Sequence, residues 1–282
     1  MLTSSYRFGE LTSSQVGEAA RSDALIVLPV GTTEEHGPHL PVDTDARIAA
    51  GLGDRLVRAL RDVHGVPALL METVYYGYSM RVMQRWPGTV VVRSRVFMDM
   101  VFDICCSVLG MGFHKLILMD THGHHSGAMA LVSREVADAT DQAIAVISPH
   151  VLTRDAFNEL RRSGQGGEIH GGEWETSLVL HLSPELVDMS KASSEDMMRY
   201  HSDFVAGDSF SGRQRVVWST WYLQESRSGI YGDPTAASAE TGEVLAETFV
   251  KEACSFAREF LAHGAQPRCG ATPTTGRARG KV

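Results

Sequence analysis

The chain has 282 residues, 43% of them hydrophobic and 21% charged, an ordinary globular composition with length for one large domain or two small ones. No window approaches the ~20 continuous apolar residues of a membrane span, and the opening MLTSSYRFGE has neither the basic nor the apolar region of a signal peptide; a cytoplasmic protein with no membrane partner is expected. A net charge of -8 argues against nucleic acid, which draws on a dense Lys/Arg surface, and leaves a small molecule as the expected partner.

In chain order, ALIVLPVG (residues 24–31) is short, apolar and β-branched, the pattern of a strand covered on both faces. Asp43 or Thr44 can cap a helix through Val63, with Ile48, Leu52, Leu56 and Leu60 along one face. VPALLMETV (residues 66–74) and TVVVR (residues 89–93) read as strands, Ser94 opens a helix to Gly110, and KLILMD (residues 115–120) is a further buried strand. A helix from Ser126 and the strand AIAVIS (residues 143–148) follow. Alternating strands and helices predict an α/β fold with a mainly parallel sheet covered on both faces, with polar sites at the carboxyl ends of its strands.

Residues 190–229 are polar and aromatic without periodicity and read as an excursion, with Trp218 and Trp221, that covers this site or a neighbour's. A last helix is expected over residues 237–262. The domain is expected to span 1–264, followed by a disordered tail over 265–282 that is rich in Gly, Pro, Thr and basic residues. Cys105, Cys106, Cys254 and Cys269 show no C-x-x-C spacing and read as reduced thiols.

Two loops concentrate the chemistry. GTTEEHGPHLPVDTD (residues 31–45) brings Glu34, Glu35, His36, His39, Asp43 and Asp45 together directly after the first strand. Imidazole and carboxylate are the ligands that zinc and manganese take, and Glu34 and His36 alternate by two, so an extended backbone points both the same way. Asp45 opens the next helix, where a negative charge also suits the helix end. MDTHGHHSG (residues 119–127) repeats the pattern with Asp120, His122, His124 and His125. Either loop alone is matched by ordinary surface histidines and capping carboxylates; both at strand ends point to metal. A third cluster holds Glu168, His170, Glu173 and Glu175 ahead of an apolar helix. Acidic residues in a first helical turn have a dipole explanation, whereas His170 between glycines is a candidate for proton transfer.

These residues resemble the creatininase (creatinine amidohydrolase) family. Pro29 to Asp45 is similar to its motif PVGSTEQHGPHLP followed by TD, and Asp120 to His125 aligns with NGHGGN or NGHYEN. His170 to Ser177 aligns with HGG or HAG, two residues and ETS, and Gly232, Asp233, Pro234 and Gly242 with a GDP motif. The likeness runs from Tyr6 to Ala262. It implies a three-layer αβα fold, a homohexamer and two divalent metal ions, zinc or manganese with iron as a third option. Glu34 and His122 would hold one metal and His36 the other, Asp45 would bridge both, and His124 would stand where creatininase has the glutamate that completes the second metal, the one held by His36. His170 would transfer the proton, with Glu168 and Glu175 as further catalytic candidates and Ser79 and Gly123 as substrate-binding ones.

The departures point away from creatinine. Ile169 stands where the family has Glu before the catalytic His, Gly123 where creatininase has Tyr, and His150 near its ring-covering Trp; GYSMRVMQRWPGT keeps Ser79 but lacks the usual His. The expected activity is hydrolysis of a carbon-nitrogen bond in a small cyclic or related amide by a metal-bound hydroxide. A formamide, lactone or ring carbon-carbon hydrolase, and a non-catalytic metal-binding protein, are the alternatives. A nucleotide-binding fold is disfavoured, because no G-x-G-x-x-G follows the first strand.

Overall fold

A computed structural model of the protein describes residues 5–219 and 223–263. Four parallel strands, β1 (Leu25–Val30), β2 (Ala68–Leu70), β3 (Lys115–Asp120) and β4 (Ala143–Ile147), form a sheet in the order β2-β1-β3-β4. Every residue of β1 and β3 is buried, which is why both read as unbroken apolar runs. Pro29 is tolerated in a central strand because its carbonyl side faces Val74, beyond the end of β2, where no ladder partner requires its missing N–H.

Helices cover both faces, giving the expected three-layer α/β architecture. On one face lie α1 (Ser13–Arg21), α3 (Ser94–Leu109) and α4 (Ser126–Thr140), closed by Phe97, Val101, Phe113, Met129 and Val132. On the other lie α2 (Thr44–Asp62), α7 (Glu173–Leu182) and α8 (Ala239–His263), around Leu52, Leu56, Trp174, Leu245 and Phe249; the short α5 (Pro149–Leu152) and α6 (Arg154–Leu160) precede α7. The four predicted apolar positions of α2, Ile48, Leu52, Leu56 and Leu60, are fully buried, each worth about 1.5–3 kcal/mol of apolar transfer. Among the described residues no helix is long and apolar enough to cross a membrane.

Residues 89–93 correct one expectation: they are extended but not a strand. Their N–H groups at Val90 and Val92 donate to the carbonyls of Thr33 and Gly77, so the segment covers the loop leaving β1 instead of joining the sheet. A two-stranded antiparallel pair, β5 (Glu168–His170) with β6 (Tyr231–Gly232), lies outside the main sheet. The described residues of the excursion over 190–229 form no strand and no helix beyond a short turn at its start, and carboxylates organise them. Asp208 accepts from Arg161 and from the N–H groups of Gly166, Phe210 and Ser211, while Asp196 accepts from Ser226, Arg227 and Ser228. Trp221, Cys269 and the expected tail lie outside the described residues; Cys105, Cys106 and Cys254 are free thiols.

Chain direction locates the site. From β1 the connection through α2 leads to β2 on one side, and from β3 the connection through α4 leads to β4 on the other, so the loops leaving β1 and β3 part at a topological switch point. Open parallel sheets bind their ligands in this crevice.

Candidate metal centre

The loop leaving β1 is pressed against the start of α2. A Cβ at Gly31 would lie 2.5 Å from the backbone of Ala46, so only glycine permits the approach that sets Asp45 beside Glu34 and His36. The register Val30 to Asp120 across the central strands brings the two histidine-bearing loops level. From the far side comes Gly171, whose φ of 63° turns the chain between β5 and α7 so closely that a Cβ would meet the His36 carbonyl at 2.9 Å. Three loops remote in sequence therefore share one crevice.

Among the described residues two groups have ligand atoms within 4.8 Å of one another: Glu34, His122 and His124, and His36, His170 and Glu175. Asp45 stands between them, with Oδ1 3.5 Å from His36 Nε2 and Oδ2 2.8 Å from His122 Nδ1. Glu34 Oε2 is 3.4 Å from His122 Nδ1, and Glu175 Oε1 is 3.8 Å from His36 Nε2. The His36 ring is fixed from behind, its Nδ1 donating to the Glu34 carbonyl at 2.9 Å, so that Nε2 faces Asp45 and Glu175. Metal-bound imidazoles are commonly held this way. Ser79 donates to Glu34 Oε1 at 2.5 Å, so this expected substrate-binding hydroxyl is committed to a carboxylate of the site.

The donor set fits divalent cations. Glu34 Oε2, His36 Nε2, Asp45 Oδ2, His122 Nε2 and His124 Nδ1 are all buried atoms without a hydrogen bond. Each such atom costs roughly 1–3 kcal/mol in a closed core. They lie on both sides of Asp45, and divalent cations there would offer such atoms a partner.

Protonation follows the same geometry. Burial depresses His36 and His122, but surrounding carboxylates outweigh it: Asp45 and Glu175 hold His36 well above its ordinary value, and Glu34 and Asp45 raise His122 to about 9. Asp45 is pushed up by burial and pulled further down by the two histidines, so it stays ionised. Burial and the neighbouring His122 lower His124 to about 3, and burial with His36 holds His170 well below the usual range. Both are neutral imidazoles. Glu175 is raised by burial to about 7.

The other expected residues fall as follows. His170 donates from Nε2 to the Glu35 carbonyl at 2.6 Å, leaving Nδ1 free, and its ring lies 4.2 Å from that of His36. Glu168 is fully buried, and its Oε2 accepts from the Trp174 N–H at 2.5 Å, so it caps α7. Glu173 accepts from the N–H groups of Arg162 and Ser163, the structural role its position predicts. Gly123 is exposed, and a Cβ there meets nothing within 4 Å. His150 stacks on Trp174 with centroids 3.9 Å apart, and burial lowers it to about 4. His39 turns away from the metal groups, Nε2 paired with Thr176 Oγ1.

Sequence reasoning did not single out Glu35. It is 4% exposed, raised by burial to about 7, with Oε1 3.8 Å from His170 Nε2. A second glutamate beside Glu34 was the only signal, and adjacent residues in an extended loop face opposite ways.

Comparison with known proteins agrees with this geometry. The family model described as creatininase, creatinine amidohydrolase, matches residues 9–257. The mycofactocin precursor peptide peptidase of Mycobacterium tuberculosis (strain ATCC 25618 / H37Rv) is 28% identical over 249 residues, covering 86% of this chain and 88% of its own. The creatinine amidohydrolase of Pseudomonas putida is 30% identical over 200 residues, 65% of this chain and 74% of its own. Among solved structures, a mutant creatininase of Zn-Zn type superposes with a TM-score of 0.73 at 25% identity, covering 91% of this chain and 98% of that one. The chain belongs to the creatininase family of metal-dependent amidohydrolases.

Proposed function

We propose that this protein hydrolyses the carbon-nitrogen bond of an amide other than creatinine at a centre of two divalent ions, zinc or manganese, arranged about Asp45. The observation that carries the reading is the position of Asp45 between the group of Glu34, His122 and His124 and the group of His36, whose Nε2 is a buried atom without a hydrogen bond. Glu34, His122 and His124 would hold one ion, and His36 with Glu175 the other. Glu175, expected as a further catalytic candidate, is thus read as a ligand, on the strength of its 3.8 Å approach to His36 Nε2.

When bound, such ions supply Lewis acidity toward a carbonyl oxygen and acidify water near neutral pH. The protein's own groups do the rest. Ser79 orients Glu34, and the backbone carbonyl of Glu34 orients His36. His170, neutral and with Nδ1 free because Nε2 is committed to Glu35, accepts a proton and delivers it to the leaving nitrogen. Glu168 Oε2 is bonded to the start of α7, while its Oε1 has no hydrogen bond.

A second reading, a peptide amide as substrate, is favoured by the open space at Gly123 and by the near full-length similarity to a peptide peptidase. Metal-replete protein assayed against cyclic amides, formamides, lactones and short peptides separates the two, with chelator-treated protein as control. Full activity after removal of all metal would refute both.

A further inference from the structure

Asp120 ends β3 and His125 immediately precedes α4, and both side chains are buried. Asp120 Oδ1 accepts from His125 Nδ1 at 3.1 Å and from the backbone N–H of His122 at 3.3 Å. The His125 N–H in turn donates to the His122 carbonyl at 3.0 Å. One carboxylate oxygen therefore ties both ends of the turn that presents His122 and His124.

The His125 ring is itself clamped. It stacks on Phe97 with centroids 4.1 Å apart, and a Cβ at Gly77 would lie 2.3 Å from its Nε2. Its edge abuts the His122 ring at 4.6 Å, while His124 meets His122 from another side at 4.9 Å. The His122 ring turns Nδ1 toward Asp45 and Glu34 and has no hydrogen bond at Nε2, so besides those two carboxylates it is this packing and the Asp120 tether of its backbone that hold its orientation.

We propose that Asp120 and His125 are positioning residues that hold the His122 ring in the orientation a divalent cation requires. The inference rests on the metal reading of the site. Side chains behind metal ligands commonly change metal affinity by about 10–100-fold when removed, and a ring wedged between two neighbours shifts when one is released.

The test is titration of the full chain with Zn²⁺ alone, by calorimetry, and with Co²⁺ alone, by visible absorption, which reports ligand geometry. Asp120→Ala is expected to weaken binding of one Zn²⁺ by about 10–100-fold and alter the Co²⁺ spectrum. Asp120→Asn, which keeps an Oδ1 acceptor for both N–H groups, is expected to stay within a few-fold of the parent. Wild-type affinity and spectrum in Asp120→Ala would overturn the proposal, as would Asp120→Asn binding as weakly as Asp120→Ala. Should Asp120→Ala not fold by circular dichroism, His125→Leu replaces it, with the same loss expected and an unchanged Co²⁺ spectrum overturning. A parent protein that binds neither ion would refute the metal reading itself; a parent that binds while the variants do not differ refutes only the positioning role.

Discussion

Metal binding at this centre should be coupled to proton release, and the size of the coupling can be worked out. Without a cation, His36 and His122 are stabilised as imidazolium ions by Asp45, Glu34 and Glu175. With His122 raised to about 9, about 99% of it is protonated at pH 7. A divalent ion needs the neutral imidazole, so each ion must displace protons. Apparent affinity should rise up to roughly tenfold per pH unit for each proton displaced. The sign for stability runs the opposite way in metal-free protein. His122 binds its proton more tightly folded than unfolded, so its contribution is full below its ordinary 6.5 and lost as pH climbs through about 9. Metal-free protein should lose this contribution over that window, while metal should stabilise increasingly across it. Calorimetric titration with Zn²⁺ at pH 7, in buffers of different ionisation enthalpy, counts the protons released. Release of one to two protons is expected; an affinity flat between pH 6 and 8 with no release would refute the reasoning.

Other expectations concern single residues. His170→Gln should keep its metal but lower kcat by about 10²–10⁴-fold if the residue moves a proton; loss of metal in the same variant, read by elemental analysis, would make it a ligand instead. Gly31→Ala should cost about 1–3 kcal/mol through overpacking against Ala46, with metal content falling alongside stability in urea unfolding because the start of α2 carries Asp45. Asp208→Ala should cost roughly 3–5 kcal/mol by stranding Arg161. Burial pushes the Asp208 carboxyl up, but Arg161 and three backbone N–H groups bring it below its ordinary 3.8. Its contribution is therefore present above 3.8 and lost as pH falls through the lower folded value, and the variant should flatten the acid limb of a pH-stability profile.

The parts of the fold visible in the sequence are those whose pattern reflects local burial. β1 and β3 announce themselves as apolar runs because helices cover both their faces, and α2 through leucines at four-residue steps. Residues 89–93 share that β-branched texture, yet their hydrogen-bond partners are loops, which composition does not encode. α1 went unread, and β5 with β6 is too short and too non-local to leave a period.

At the site, the two histidine loops were legible because both leave strand ends, but spacing alone supplied only separate half-shells. The resemblance implied Asp45 as a bridge between them, and the fold sets its carboxylate 3.5 Å from His36 Nε2 and 2.8 Å from His122 Nδ1. Glu175, expected among the catalytic candidates, comes close to His36 because the left-handed turn at Gly171 folds α7 back, an approach that spacing does not show. Ser79 and Glu168 each have a polar partner, Glu34 and the Trp174 N–H, that the sequence does not show.

The central claim is that Asp45 sits between two cations. Elemental analysis of purified protein and of Asp45→Asn, each equilibrated with excess Zn²⁺ and desalted, tests it most directly. The account predicts two ions per chain in the parent and loss of both, or of all tight binding, in the variant. Two tightly bound ions retained without the Asp45 carboxylate would contradict it.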